Sequence, residues 1–302
     1  MDVLKITPRG YCHGVVDAIK IARQVGAESK SEPVPQPVHM LGYLVHNEHV
    51  TDELHDHGVD LVDADDRIQG LQQIDAGTVI FTAHGVSPQV VKRAQEMGLR
   101  TVDATCSDVV RTHDLVKDLV ARDFHVIYIG QKGHPEPDGV IGEAPDRIHL
   151  LEPMDFTALD GVDYPTERLG VTCQTTLSQW DTLATIEEIQ RRWPHVEVYN
   201  EICKATQERQ EAAVAAAAEV DMVVVVGSRR SSNSRRLVQV VEELGHRPAK
   251  LVDNPSEIDP AWFRGIGRVG VTSGASTPTW MTRKVIEYLQ QLDPEAAATT
   301  AG

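Results

Sequence analysis

Short apolar runs of strand length alternate with amphipathic, helix-compatible stretches along the whole chain. That alternation restricts the chain to α/β units built on parallel sheets. Val79-Ile80-Phe81, Val126 to Ile129 and Met222 to Val226 are the clearest buried strands, and each is followed by a polar, turn-forming stretch: Ala83-His84-Gly85, Gly130 to Gly139 and Gly227 to Ser234. In parallel sheets, ligands collect at the carboxyl ends of strands, beside helix N-termini. The polar residues of these stretches are therefore site candidates.

With 302 residues and 41% hydrophobic content the chain can bury a sizeable core, but its length suits two or three small domains better than one. Acidic residues outnumber basic ones 45 to 29, a net charge of −16 that provides no basic stripe for nucleic acid or an anionic membrane. An anionic ligand would have to be met locally, by histidines, hydroxyls, backbone N–H groups and helix N-termini. The opening Met-Asp-Val-Leu-Lys-Ile-Thr has no signal-like pattern, and no uncharged window reaches membrane-spanning length, so a soluble cytoplasmic protein is expected. Residues 291–302, rich in Ala and Thr, read as a disordered tail.

Four cysteines, at 12, 106, 173 and 203, are too sparse and scattered for a disulfide framework. Three of them share one context, ending an extended segment and preceding a helix-compatible run. Cys12, Cys106 and Cys203 are spaced 94 and 97 residues apart. A second polar position follows each cysteine by 34, 28 and 28 residues (His46, His134, Ser231), and a third by 72, 69 and 73 (His84, Thr175, Ser276). Position repeats although residue identity does not. The expected fold is three α/β units around a pseudo-threefold axis, with small, mainly parallel sheets: residues 14–105, 106–202, and 203–290 joined by 1–13. Each unit would bring one thiolate to the axis. Three thiolates suit a [4Fe–4S] cluster with one open iron, and no C-x-x-C pair points to a ferredoxin or zinc-ribbon site. The alternative is four buried structural thiols.

The segments Pro8 to Val15, Val45-His46-Asn47, Ala83 to Val86, Asp103 to Cys106, Gly133 to Glu136, Gln174 to Ser178, Ile202 to Thr206, Gly227 to Ser234 and Gly270 to Ser276 resemble, in order, the 4-hydroxy-3-methylbut-2-enyl diphosphate reductase family. The resemblance runs from about residue 3 to about residue 285. It implies a trefoil of three α/β units around a [4Fe–4S] cluster held by Cys12, Cys106 and Cys203. It also implies reductive dehydroxylation of the allylic diphosphate, with two electrons and two protons, to isopentenyl and dimethylallyl diphosphate, the electrons coming from reduced ferredoxin or flavodoxin.

The chemistry at the matching positions agrees. Hydroxide leaves poorly, so an open iron can act as Lewis acid toward the substrate oxygen while a carboxyl protonates it. Glu136 is the candidate acid, with Thr175 and His134 beside it in the catalytic set. His46, His84 and His134 offer ring N–H donors to the diphosphate, and Thr175, Ser231, Ser232, Asn233 and Ser276 add neutral ones. In isolation, a Gly-His-Pro-Glu reads as a loop and a lone histidine as a cap or core residue. His55 and His57, in a charged stretch, read as surface.

The chain departs from the family pattern at Ser107, where proline is usual after the second cysteine, at Pro137-Asp138 after Glu136, and at Cys173. None of these removes a ligand or donor. Cys173, placed by the pattern inside or at the end of a strand and on the face of Thr175 while that strand stays regular, raises a rival reading: a non-catalytic electron carrier or redox sensor with Cys173 as fourth ligand. A structural zinc protein is a second rival.

Overall fold

The structure is a computed structural model that describes residues 1–29, 34–64, 66–161, 164 and 167–292. It opens with β1 (Asp2–Lys5) and α1 (His13–Glu28). Next come β2 (Val38–Leu41), α2 (Glu48–Asp56), β3 (Asp60–Val62), α3 (Arg67–Leu71), β4 (Thr78–Phe81), α4 (Pro88–Glu96) and β5 (Arg100–Asp103). The middle of the chain forms α5 (Ser107–Ala121), β6 (His125–Ile129), α6 (Pro135–Ile141), β7 (Ile148–Leu151), β8 (Leu169–Cys173), α7 (Gln179–Arg192) and β9 (Glu197–Val198). The last part contains α8 (Lys204–Ala217), β10 (Met222–Val226), α9 (Ser232–Glu243), β11 (Ala249–Val252), β12 (Arg268–Ser273) and α10 (Thr279–Gln291). The helix α10 thus takes in the first residue of the expected tail, and the tail from residue 293 on lies outside the described residues.

The strands form three four-stranded sheets, ordered β3-β2-β4-β5, β7-β6-β8-β9 and β11-β10-β12-β1, and every pairing is parallel. Within the first two sheets the second strand in the chain lies at one edge, then the first, third and fourth. The third sheet has the same arrangement, with the N-terminal β1 taking the fourth place beside β12. The chain falls into two compact units: Met1–Cys12 with Lys204 onward, which holds the third sheet, and His13–Cys203, which holds the other two.

Each sheet is covered on both faces, so its central strands are mostly buried along their length instead of alternating between buried and exposed. All five residues of β6 but one, and all of β8 and β10, are buried. Alternate residues then face different helices. Ile127, Ile129, Val171 and Cys173 pack with Ile186 and Ile189 of α7, whereas Val126 and Tyr128 pack with Val116 and Leu119 of α5 and Val140 of α6. In the third sheet Val224, Val226 and Val271 meet Met281 and Val285 of α10, while Val223 and Val225 meet Ala213 of α8 and Leu237 of α9. Each such valine contributes roughly 1.5 kcal/mol or more by burial. Among the described residues no helix is long and apolar enough to cross a membrane.

Candidate functional site

The shared strand order sets where the polar motifs fall. His46, His134 and Ser231 each lie five residues past the first strand of their sheet, which ends at Leu41, Ile129 and Val226. His84, Thr175 and Ser276 follow the third strand, two or three residues beyond Phe81, Cys173 and Ser273. The cysteines follow the fourth: Cys106 after β5, Cys203 after β9 and Cys12 after β1. First and third strands are neighbours whose connections leave in opposite directions across the sheet, which is where parallel sheets open a crevice.

Glu136 lies in the first turn of α6 and is 1% exposed. Its Oε1 accepts the Thr175 N–H at 2.7 Å and the Tyr128 hydroxyl at 3.3 Å, and its Oε2 accepts the Thr175 hydroxyl at 2.9 Å. Burial pushes the Glu136 carboxyl up to about 7 despite the donors from Thr175 and Tyr128 and the nearby His113, all of which favour the ionised form. At neutral pH such a group both holds and releases a proton. Tyr128, raised well above its ordinary value by burial and by Glu136, stays a neutral donor.

His46, His84 and His134 converge, with ring centroids 4.2, 5.2 and 5.4 Å apart. One nitrogen from each lies within 4.8 Å of the others. His134 caps α6, its Nδ1 accepting the Glu136 N–H at 3.2 Å. A neutral ring whose Nδ1 accepts carries its proton on Nε2, so His134 presents an N–H donor. His84, with its Nδ1 3.3 Å from the Thr82 hydroxyl, is held well below the usual histidine range by burial and then by His46, His134 and Arg67.

Ser231, Ser232, Asn233 and Ser276 belong to the other compact unit and are 4–7% exposed. Ser231 caps α9, accepting the Ser234 N–H at 3.2 Å. Asn233 accepts the Ala275 N–H at 3.2 Å and donates to the Thr206 hydroxyl at 3.3 Å, which ties the loop of Ser276 to α8.

The three repeat cysteines form no disulfide, are partly exposed and sit at helix N-termini: Cys106 is the N-cap of α5, and Cys12 and Cys203 directly precede α1 and α8. Helix N-termini favour negative charge, such as that of a thiolate-ligated cluster. Gly14 makes room for this arrangement, because a Cβ there would collide with Cys106 Sγ. Cys203 N–H donates to the Thr175 carbonyl at 3.0 Å, linking one cysteine loop to the acid pocket. Cys173 differs on every count. It is fully buried in the core under α7, its thiol is 3.5 Å from Asn200 Oδ1, and burial pushes it up to about 12. A metal ligand must be a thiolate. Cys173 is the last residue of β8, so the condition for a shared face with Thr175, a strand that stays regular, is not met, and Thr175 turns to Glu136, which Tyr128 approaches from the other face of the sheet.

Tyr128 escaped the sequence reading, although a tyrosine in an otherwise aliphatic strand signals a hydroxyl in need of a partner. His113, whose Nδ1 is 2.6 Å from Glu143 in a nearly buried pair, carried no such signal. His55 is exposed and pairs with Asp60, as the charged stretch predicts, while His57 is partly buried against the Glu53 carbonyl.

A family model described as LytB protein matches residues 3–290. A protein of Symbiobacterium thermophilum named 4-hydroxy-3-methylbut-2-enyl diphosphate reductase is 57% identical over 296 residues, 98% of this chain and 99% of that one. Its namesake in Exiguobacterium sibiricum is 51% identical over 99% of this chain and 94% of its own. Among solved structures, the E-1-hydroxy-2-methyl-but-2-enyl-4-diphosphate reductase of Plasmodium falciparum superposes with a TM-score of 0.87 at 29% identity, covering 96% of this chain and 88% of that one. A second, titled (E)-4-hydroxy-3-methyl-but-2-enyl diphosphate reductase, gives a TM-score of 0.64 at 31% identity, over 97% and 100%. The chain therefore belongs to the LytB family, whose relatives bear the name 4-hydroxy-3-methylbut-2-enyl diphosphate reductase, and it is an oxidoreductase of that family.

Proposed function

We propose that this chain is a cytoplasmic reductase that removes the allylic hydroxyl of 4-hydroxy-3-methylbut-2-enyl diphosphate, taking up two electrons and two protons, releasing water, and giving isopentenyl and dimethylallyl diphosphate. Three α/β units, 14–105, 106–202 and 203–290 with 1–13, carry the site residues at equivalent strand ends. Cys12, Cys106 and Cys203 would hold a [4Fe–4S] cluster, fed by reduced ferredoxin or flavodoxin. When bound, the cluster supplies electrons and an open iron to polarise the substrate oxygen. The residues fit it: three partly exposed cysteines outside any disulfide sit at helix N-termini, with a glycine clearing space beside one of them.

One observation carries the reading, the buried Glu136 with its carboxyl at about 7 and both oxygens held by Thr175. Its proton passes to the departing oxygen, with the Thr175 hydroxyl in between or beside it. The Glu136 backbone N–H fixes the His134 tautomer, so proton donor and anion donor share one turn of chain. His46, His84, His134 and Thr175, with Ser231, Ser232, Asn233 and Ser276, would bind the diphosphate. The N–H on His134 Nε2 favours an anion over a metal ion, which needs a lone pair there.

The test is an anaerobic assay of the iron-loaded protein with the hydroxylated diphosphate and a reduced low-potential donor, with both products quantified. Turnover is expected in the wild type. It should be lost, together with bound iron, when Cys12, Cys106 or Cys203 is changed to Ser, since an oxygen ligand holds soft iron–sulfur clusters poorly. One such variant with full iron and full turnover would remove that cysteine from the ligand set.

A further inference from the structure

Arg111, on α5, is not needed for the chemistry above, yet it meets one acid in the first turn of its own helix and one in the segment before Cys203. Its Nε lies 2.6 Å from Glu201 Oε2 and its Nη1 3.0 Å from Asp108 Oδ1. The other Asp108 oxygen is 3.4 Å from His13 Nε2. These contacts map onto the cysteines along the chain: His13 follows Cys12, Asp108 is two residues after Cys106, and Glu201 is two residues before Cys203. The two carboxylates are mostly shielded, at 14% and 16% exposure, whereas Arg111 is 54% exposed. Ser107, the first residue of α5, lacks the fixed φ that proline would give the Cys106 loop.

Two shielded carboxylates drawn to one place repel each other, and would add to the charge of cluster-bound thiolates close by in the chain, unless a cation stands between them. The guanidinium is that cation, and its planar fork reaches both acids at once. We propose that Arg111 is a positioning residue for the cluster: it fastens the N-terminal turn of α5, which Cys106 caps, to the segment before Cys203, with His13 resting on Asp108, so that the thiolates hold their places and iron is retained. The proposal rests on the reading that Cys12, Cys106 and Cys203 are the ligands.

The experiment follows first-order iron release from anaerobically loaded full-length protein to the uncharged chelator 2,2′-bipyridine, with melting temperature recorded alongside. Arg111→Met, which keeps the apolar stem, should release iron about tenfold faster than wild type at low salt, equivalent to about 1.4 kcal/mol. Arg111→Lys should fall between the two, because one ammonium cannot span both acids. Adding Glu201→Gln to Arg111→Met should slow release back toward wild type, since it removes a carboxylate left without its cation. At about 1 M salt, where the Debye length is about 3 Å, the gap between Arg111→Met and wild type should narrow, as it would for a fastening made of charge. Equal release rates in wild type and Arg111→Met overturn the proposal while leaving the cluster reading intact. So does acceleration that is the same in the Met and Lys variants at every salt concentration, which marks a packing defect. A wild-type chain that takes up no iron overturns the cluster reading and this proposal together.

Discussion

The two sheets of the His13–Cys203 unit and the sheet of the other unit share one strand order but carry different chemistry at their strand ends. The first two end in His46, His84 and His134, with Glu136 and Thr175 behind them. The third ends in Ser231, Ser232, Asn233 and Ser276. One backbone plan thus places titratable side chains at the strand ends of one unit and neutral hydroxyl and amide groups at those of the other. Topology fixes where a site residue stands, and side-chain identity fixes whether it can move a proton.

The sharpest break in that contrast is Glu136→Gln. The amide keeps the geometry, its oxygen facing the Thr175 N–H and its NH₂ facing the Thr175 hydroxyl, but it has no proton to give. Turnover should fall by roughly 10²- to 10⁴-fold with iron content unchanged. Turnover within a few-fold of wild type would move the acid elsewhere.

The histidine and serine ends separate by pH. His84, neutral when no anion is bound, should take up a proton as diphosphate binds, so affinity should fall as pH rises from His84's depressed unbound value toward its higher bound value. His84→Asn should weaken binding of inorganic pyrophosphate by about tenfold or more at pH 6 and flatten its pH dependence, consistent with loss of a charge-assisted bond. Ser276→Ala should cost about fivefold at every pH and leave the slope unchanged. Parallel pH profiles for the wild type and the His84 variant would sink the distinction.

The same acid should affect stability. Glu136 holds its proton more tightly folded than unfolded, so its stabilising effect is complete below about 4.5 and is lost as pH rises through about 7. Glu136→Gln carries no such penalty. The variant should gain on wild type as pH rises from 5 to 8, by at most about 3 kcal/mol, as measured by denaturant unfolding of the iron-free chain. A constant offset across that range would place the carboxyl in an ordinary environment.

The smallest effect is expected at Cys173, the cysteine on the core face of β8. Cys173→Ala should keep iron and turnover and lose about 1 kcal/mol of stability to the small cavity. Loss of the cluster would make it a ligand and erase the contrast with Cys106.

The sequence alone determined the alternation of strand and helix, the polar stretches at strand ends and the regular recurrence of Cys12, Cys106 and Cys203. These features were legible because strand length, turn residues and helix starts are set by near neighbours along the chain. The strand order was not legible, since nothing local tells Asp2–Lys5 to pair with Arg268–Ser273 and complete the third sheet. Nor was the partner of Glu136, because Thr175 is 39 residues away and Tyr128 reaches it only through the packing of α6 on the sheet. Where β8 stops was not legible either, and it decides whether Cys173 and Thr175 share a face, because period-2 alternation holds only while a strand lasts and β8 stops at Cys173. The partner of Arg111 was equally out of reach of local sequence, since Glu201, 90 residues on, meets its guanidinium only in the fold. Local propensity acts over a few residues, whereas burial, which raises the Glu136 carboxyl and keeps the Cys173 thiol from ionising, exists only once distant segments exclude water together.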